Sequence, residues 1–140
     1  MATDRIELLA RVAAFEGLSQ PQLREVAELF RELVFEAGST VIREHERGGR
    51  VLAFFVVVEG EAAVTLAGGQ LGTLRAGDHF GEMALFSDSP RTATVTATSD
   101  LRCLALSSWE FRSFVEAHPP VAWRLLETIA ARMERVAEQP

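Results

Sequence analysis

At 140 residues and 15.4 kDa, the chain suits one compact domain and leaves no room for a second of ordinary size. Its balance of 48% hydrophobic and 24% charged residues excludes intrinsic disorder. The longest apolar run, the eight residues 51–58, is far short of the roughly 20 that a membrane-spanning helix needs. A net charge of −6 and a pI near 5.1 speak against nucleic acid as a partner, which calls for a basic patch.

All 14 basic residues are arginine, and Lys, Asn and Tyr are absent. An anion bound specifically by this chain would therefore be held by Arg, whose planar fork makes two parallel hydrogen bonds to a phosphate. The one cysteine, Cys103, allows no intrachain disulfide or Cys-rich zinc site, and a cytoplasmic setting is the expectation. The first fifteen residues carry acids at amphipathic spacing instead of the pattern of a signal peptide.

Residues 1–36 read as a helical N-terminal segment. Ile6, Leu8, Leu9, Val12, Ala13 and Phe15 recur at helical spacing over 5–15. Ser19 opens a second helix as a capping box with Gln22, Pro21 sits in the first turn, and Leu18 and Leu23 are placed to form a hydrophobic staple. The stripe Leu23, Val26, Ala27, Phe30 and Leu33 carries that helix toward a stop at Gly38.

Over 37–106 the period changes to two. Val41 and Ile42 belong to a short strand, and 43–50 reads as a charged loop. Residues 53–58 are apolar on both faces, as in a strand inside a double-layered sheet. Residues 62–66 alternate, and Gly68-Gly69 predicts a hairpin turn. Residues 92–98 alternate strictly, with Ala93, Val95 and Ala97 on one face and threonines on the other. Ser99-Asp100 turns the chain into the strand over 101–106. The class is α+β: an antiparallel β-roll, or double-stranded jelly-roll barrel, flanked by N-terminal helices and two C-terminal helices. The first of these opens at Ser107 with Glu110 as its capping partner and Leu106 and Phe111 as its staple, and runs to about His118. Pro119-Pro120 ends it. The second covers 120–138, with Ala122, Leu125, Leu126, Ile129, Met133 and Val136 as its stripe. The chain thus reads as one domain, 1–140, with 107–138 as its C-terminal helices.

Between Gly77 and Val95 the regular pattern breaks. Gly77 and Gly81 bracket a stretch where backbone can approach a ligand closely. Glu82 to Phe86 suits one short helical turn, followed by the polar loop Ser87-Asp88-Ser89-Pro90 and then Arg91. This is the composition of an anion cradle. Backbone N–H groups at a helix start attract phosphate oxygens, Arg91 supplies a full positive charge, and the Thr92 hydroxyl adds a neutral hydrogen bond. Glu82 is an acceptor suited to a sugar hydroxyl.

The sequence FGEMAL followed by SPRTATV resembles the phosphate-binding cassette of the cyclic nucleotide-binding domains found in bacterial transcription regulators, kinase regulatory subunits and nucleotide-gated channels. The likeness extends to LSQPQLREVAELF, VVVEGEAAV, LRAGDHFGE and the two last helices. It departs at His45, where the family usually has glycine nearby, and at the longer stretch 46–53.

The resemblance implies a cassette over 80–93 in which Arg91 pairs with the cyclic phosphate, joined by Thr92 and by backbone groups of Ala84. Glu82 accepts the ribose 2′-hydroxyl with Gly81 beside it, and Met83 contributes backbone. The family's last helix closes over the base, which makes Trp123, Arg124, Thr128 and Arg132 the candidates there. The implied ligand is cyclic AMP, with cyclic GMP as the alternative, and no metal. The implied role is a regulatory module, not an enzyme, that passes a conformational change to an effector domain or partner, with neither nucleic acid nor membrane as a partner. The last helix is also a candidate surface for a homodimer. Two other readings stand beside it. One is a β-roll interaction module that has lost nucleotide binding. The other is a cupin-type metal protein recruiting His45, His79 and Glu82, although the paired histidines such a site needs are missing.

Overall fold

The computed structural model describes residues 2–12, 15–43, 52–81 and 93–138. Its elements are α1 (Ala2–Ala10), α2 (Gln20–Leu29), β1 (Arg31–Phe35), β2 (Thr40–Ile42), β3 (Leu52–Glu59), β4 (Ala62–Leu66), β5 (Gly69–Leu74), β6 (His79–Phe80), β7 (Thr94–Ala97), β8 (Leu101–Ser107), α3 (Ser108–Ala117) and α4 (Pro119–Glu138). The strands form two antiparallel four-stranded sheets, ordered β1-β8-β3-β6 and β2-β7-β4-β5. This is the expected β-roll with helices before and after it.

The double-sided apolar character of β3 has a direct cause. Phe54 and Val56 join a core shared with the helices, while Phe55 and Val57 join the core between the sheets. β8 divides the same way, with Leu104 and Leu106 toward the helices and Leu101, Cys103 and Ala105 between the sheets. Phe15 is the hub of the helical side. Its ring lies 6.1–6.4 Å from those of Phe54, Phe111, Phe30 and Phe114, within the range where edge-on aromatic pairs attract.

The capping box at Ser19 forms in full, whereas at Ser107 only the N-cap half of the expected box is present. Ser19 Oγ accepts from the Gln22 N–H at 3.3 Å, and Gln22 Oε1 accepts from the Ser19 N–H at 2.9 Å. Ser107 Oγ accepts from the Glu110 N–H at 3.1 Å and donates to Glu110 Oε1 at 2.9 Å.

Three local expectations are corrected. The first helix ends at Ala10, not Phe15, because Arg11 and Val12 make i→i−3 bonds to Leu8 and Leu9 that close the turn; the chain then bends and Phe15 drops into the core. The second helix ends at Leu29, so the N-terminal helical segment does not reach residue 36. Residues 31–35 form β1 because pairing with β8, with Leu33 opposite Cys103, outweighs a helical periodicity that continued through Leu33. The hairpin turn is Ala67-Gly68, since Gly69 already pairs with Leu66. Both turn residues have positive φ, 51° and 84°, as a type I′ turn requires. The loop expected over 43–50 lies outside the described residues from position 44 onward.

Candidate functional site

The approach to the cassette is built on β3. After β5, the Arg75 N–H donates to Asp78 Oδ2 at 2.8 Å and the Asp78 N–H to the Arg75 carbonyl at 2.9 Å, closing a tight turn. Gly77 takes φ +94° in that turn. Its N–H donates to the Val57 carbonyl at 2.8 Å, and the Val57 N–H returns to the Asp78 carbonyl at 2.9 Å. Arg75 Nε also pairs with Glu61 at 3.1 Å, tying the turn to the corner between β3 and β4. β6 then pairs with β3, with His79 opposite Val56 and Phe80 opposite Phe55.

Gly81 follows with φ +89°, a left-handed conformation that L side chains rarely adopt. Glycines therefore stand at both bends that the sequence assigned to this stretch. The chain leaves the first sheet at Gly81 and is next described at Ala93, which leads into β7 in the second sheet. There Thr94 lies opposite Thr65, and Val95 opposite Val64 and Ile42. The strands that flank residues 82–92 thus belong to different sheets. Glu82, Met83, Ala84, Arg91 and Thr92, together with the short helical turn expected over 82–86, lie outside the described residues.

Of the candidates in the last helix, Arg124 is on the second turn of α4, with Nη1 3.8 Å from Glu127 Oε1. Positions 128 and 132 follow it at four-residue steps, which share one helix face; their side chains are not among those described. Trp123 is 67% exposed. Of the residues considered for a metal, His45 and Glu82 are outside the described residues. The His79 ring lies against Phe54 at 5.4 Å. Among the described residues, no group of three His, Cys, Asp or Glu is placed to hold a metal ion, and no helix is long and apolar enough to cross a membrane.

Burial pushes the Cys103 thiol up to about 12, which keeps it in the unreactive thiol form. One further cluster has no signal in the sequence. His118, between α3 and α4, bonds to Gln22 and Glu25 of α2. No periodicity or spacing relates positions so far apart in the chain.

A family model for the cyclic nucleotide-binding domain matches residues 32–118, from β1 to the junction of α3 and α4. The chain is 40% identical over 106 residues to a cAMP-dependent protein kinase regulatory subunit of Yarrowia lipolytica, covering 74% of this chain and 28% of that protein. It is 32% identical over 126 residues to a cyclic nucleotide-gated potassium channel of Rhizobium etli, covering 90% of this chain and 34% of the channel. It therefore spans about a third or less of either relative. Among solved structures, the regulatory domain of Toxoplasma gondii PKA crystallised with cAMP superposes with a TM-score of 0.78 at 26% identity, covering 94% of this chain and 50% of that one.

Proposed function

This chain belongs to the cyclic nucleotide-binding domain family, and from that membership we propose that it is a regulatory module that binds cyclic AMP and signals through its last helix. The observation that carries the reading is the frame of the cassette. Gly81, in a left-handed conformation just after β6, and Ala93, just before β7, flank the segment holding Glu82 and Arg91, and β6 and β7 lie in different sheets.

In this reading Arg91 holds the cyclic phosphate with Thr92 and the Ala84 backbone. Glu82 and Gly81 hold the ribose, and Met83 contributes backbone. Arg124, Thr128 and Arg132 stand on the helix that closes over the base. Cyclic AMP is preferred to cyclic GMP because the kinase subunit and the co-crystal structure above are named for it. The module works by binding and not by catalysis. It acts as a switch because the nucleotide favours one orientation of α4 over another; couplings of this kind are typically worth about 1–3 kcal/mol. The effector that reads the change is a further domain or a partner protein. The exposure of Trp123, Leu126 and Met133 along α4 supports pairing of two chains through that helix.

Isothermal titration of the purified chain with cyclic AMP and, separately, cyclic GMP tests the proposal, with Glu82→Ala and Arg91→Ala as controls. The expected result is saturable one-to-one binding, tighter for cyclic AMP and abolished or strongly weakened in both variants. Absence of heat with either nucleotide, on a folded and ligand-free sample, would overturn it in favour of an interaction module.

A further inference from the structure

His118 is the one residue between α3 and α4, and its backbone serves both helices. Its N–H donates to the Phe114 and Val115 carbonyls at 2.9 and 3.1 Å, closing α3, and its carbonyl accepts from the Val121 N–H at 3.0 Å, opening α4. Its side chain, only 17% exposed, reaches away from both helices to α2. There Nδ1 lies 3.3 Å from Gln22 Nε2, and Nε2 lies 3.1 Å from Glu25 Oε2. The Phe114 ring covers the imidazole at 4.5 Å.

The capping box dictates the direction of these bonds. Gln22 Oε1 is occupied by the Ser19 N–H, so the amide must turn its NH₂ toward His118. An amide NH₂ only donates, so Nδ1 must accept. The ring is then the neutral form with its proton on Nε2, donated to Glu25. Ser19, Gln22, His118 and Glu25 form a relay with one consistent arrangement of donors, joining the α3–α4 junction to the first two turns of α2.

In this arrangement the buried side chains of α4 include Val121 and Leu125 in its first two turns, whereas Trp123, Leu126 and Met133 are 67%, 55% and 67% exposed. Three large apolar side chains of α4 thus face solvent while Val121 and Leu125 are buried and the clasp is made. We infer that His118 is a positioning residue whose clasp on α2 holds α4 in this orientation and so opposes closure of α4 on a nucleotide. The inference rests on the proposed nucleotide binding. It adds that α2, through Gln22 and Glu25, sets how readily the last helix closes. Loosening the clasp therefore tightens binding, because the competing orientation loses its hydrogen bonds.

The test uses the whole chain. Titration with cyclic AMP is expected to give about a three- to tenfold lower Kd for His118→Ala, the equivalent of about one net hydrogen bond. A smaller decrease is expected for Glu25→Ala. Glu25→Gln, whose amide oxygen still accepts from Nε2 but carries no charge, is expected to fall between wild type and Glu25→Ala. Glu25 is exposed, so the Glu25→Ala and Glu25→Gln pair carries the test if His118→Ala does not fold. Without ligand, spin labels at Glu28→Cys on α2 and Glu134→Cys on α4 are expected to report a broader distance distribution in His118→Ala; Cys103 is buried and escapes labelling. Ring-nitrogen spectra at about pH 8, where imidazole is ordinarily neutral, are expected to show the proton on Nε2. Equal or weaker cyclic AMP binding by folded His118→Ala or Glu25→Ala overturns the clasp, as does an unchanged distance distribution or a proton on Nδ1. If wild type binds no cyclic nucleotide, the proposed function fails instead, and the ligand-free distances and the tautomer still decide the clasp.

Discussion

Phe55 and Phe80 stack with their ring centroids 4.8 Å apart and their planes within 4° of parallel. The two are also register partners across β3 and β6, so backbone pairing and ring stacking act at one place. Phe80 immediately precedes Gly81, which makes this stack the anchor from which the cassette departs. Phe80 is 6% exposed, and a Phe→Ala change at such a site ordinarily costs about 3–5 kcal/mol. Phe80→Ala is expected to lower the urea midpoint accordingly with little change in slope, and Phe80→Leu to cost much less. A loss below about 1 kcal/mol for Phe80→Ala would mean that the stack anchors nothing.

Gly60 and Gly68 separate two reasons for requiring glycine. Both have positive φ, 94° and 84°, so a side chain at either adopts a left-handed conformation costing about 1–2 kcal/mol. A Cβ at Gly68 would meet nothing within 4 Å, whereas one at Gly60 would collide with the backbone carbonyl of Asp100. Backbone cannot swing aside as a flexible side chain can. Gly60→Ala is therefore expected to depress the thermal midpoint clearly more than Gly68→Ala. Equal shifts in the two melting curves would show that the collision relaxes without cost.

The roll was legible because its signals are local. Alternation over 62–66 and 94–97, and the N-caps at Ser19 and Ser107, depend on residues a few positions apart. The strand at Arg31–Phe35 was not, because its helical periodicity is as good as its alternation. What decides it is β8, seventy residues later. The turn at Ala67-Gly68 was displaced by one because Gly-Gly satisfies the turn rule better than Ala-Gly, Ala67 taking a φ of 51° that its side chain disfavours, and only the pairing of Leu66 with Gly69 settles the register. Of the site, Gly77 and Gly81 were readable because positive φ selects glycine. The His118 clasp was not, since it depends on where α2 lies against the α3–α4 junction.

Cys103 gives a pH-dependent prediction with a definite sign. Burial raises its thiol from 9.0 to about 12. Above pH 9 the unfolded chain loses that proton while the folded one keeps it. Stability is thus fully present below pH 9 and falls as the pH rises toward 12, with a slope of at most about 1.4 kcal/mol per pH unit from this group. Cys103→Ala is expected to flatten that part of the stability curve measured by urea unfolding. At pH 8 the native chain should resist thiol reagents and react only after denaturation. Rapid native labelling would contradict the burial.

Within the proposed site, Arg91 and Thr92 are expected to differ in kind. Both would bond a phosphate anion, but Arg91 brings a full positive charge and two parallel donors, whereas Thr92 brings one neutral hydroxyl. A single bond to a charged group contributes about 1.5–3 kcal/mol, less where it is exposed. Arg91→Ala should therefore weaken cyclic AMP by about 10- to 100-fold, and Thr92→Ala by no more than about tenfold. Arg91→Lys is expected to recover only part of the loss, because a single ammonium cannot make two parallel bonds to one phosphate. Titration of the three variants ranks them. A Thr92→Ala effect exceeding that of Arg91→Ala would remove Arg91 from the phosphate.

The last helix carries the proposal that two chains pair. Trp123, Leu126 and Met133 are all more than half exposed, and steps of three and seven residues place them along one side of α4. A single exposed apolar residue is ordinary, but three along one helix face form a seam that a second copy of the same helix can cover. Leu126→Glu puts a charge in the middle of that seam while leaving the buried Val121 and Leu125 in place. Sedimentation equilibrium of the wild-type chain is expected to show a concentration-dependent dimer, and that of Leu126→Glu a folded monomer whose unfolding midpoint no longer depends on concentration. Wild-type chain that remains monomeric with and without cyclic AMP would leave the seam to the effector alone. Dimers that persist in Leu126→Glu would place the contact on another face.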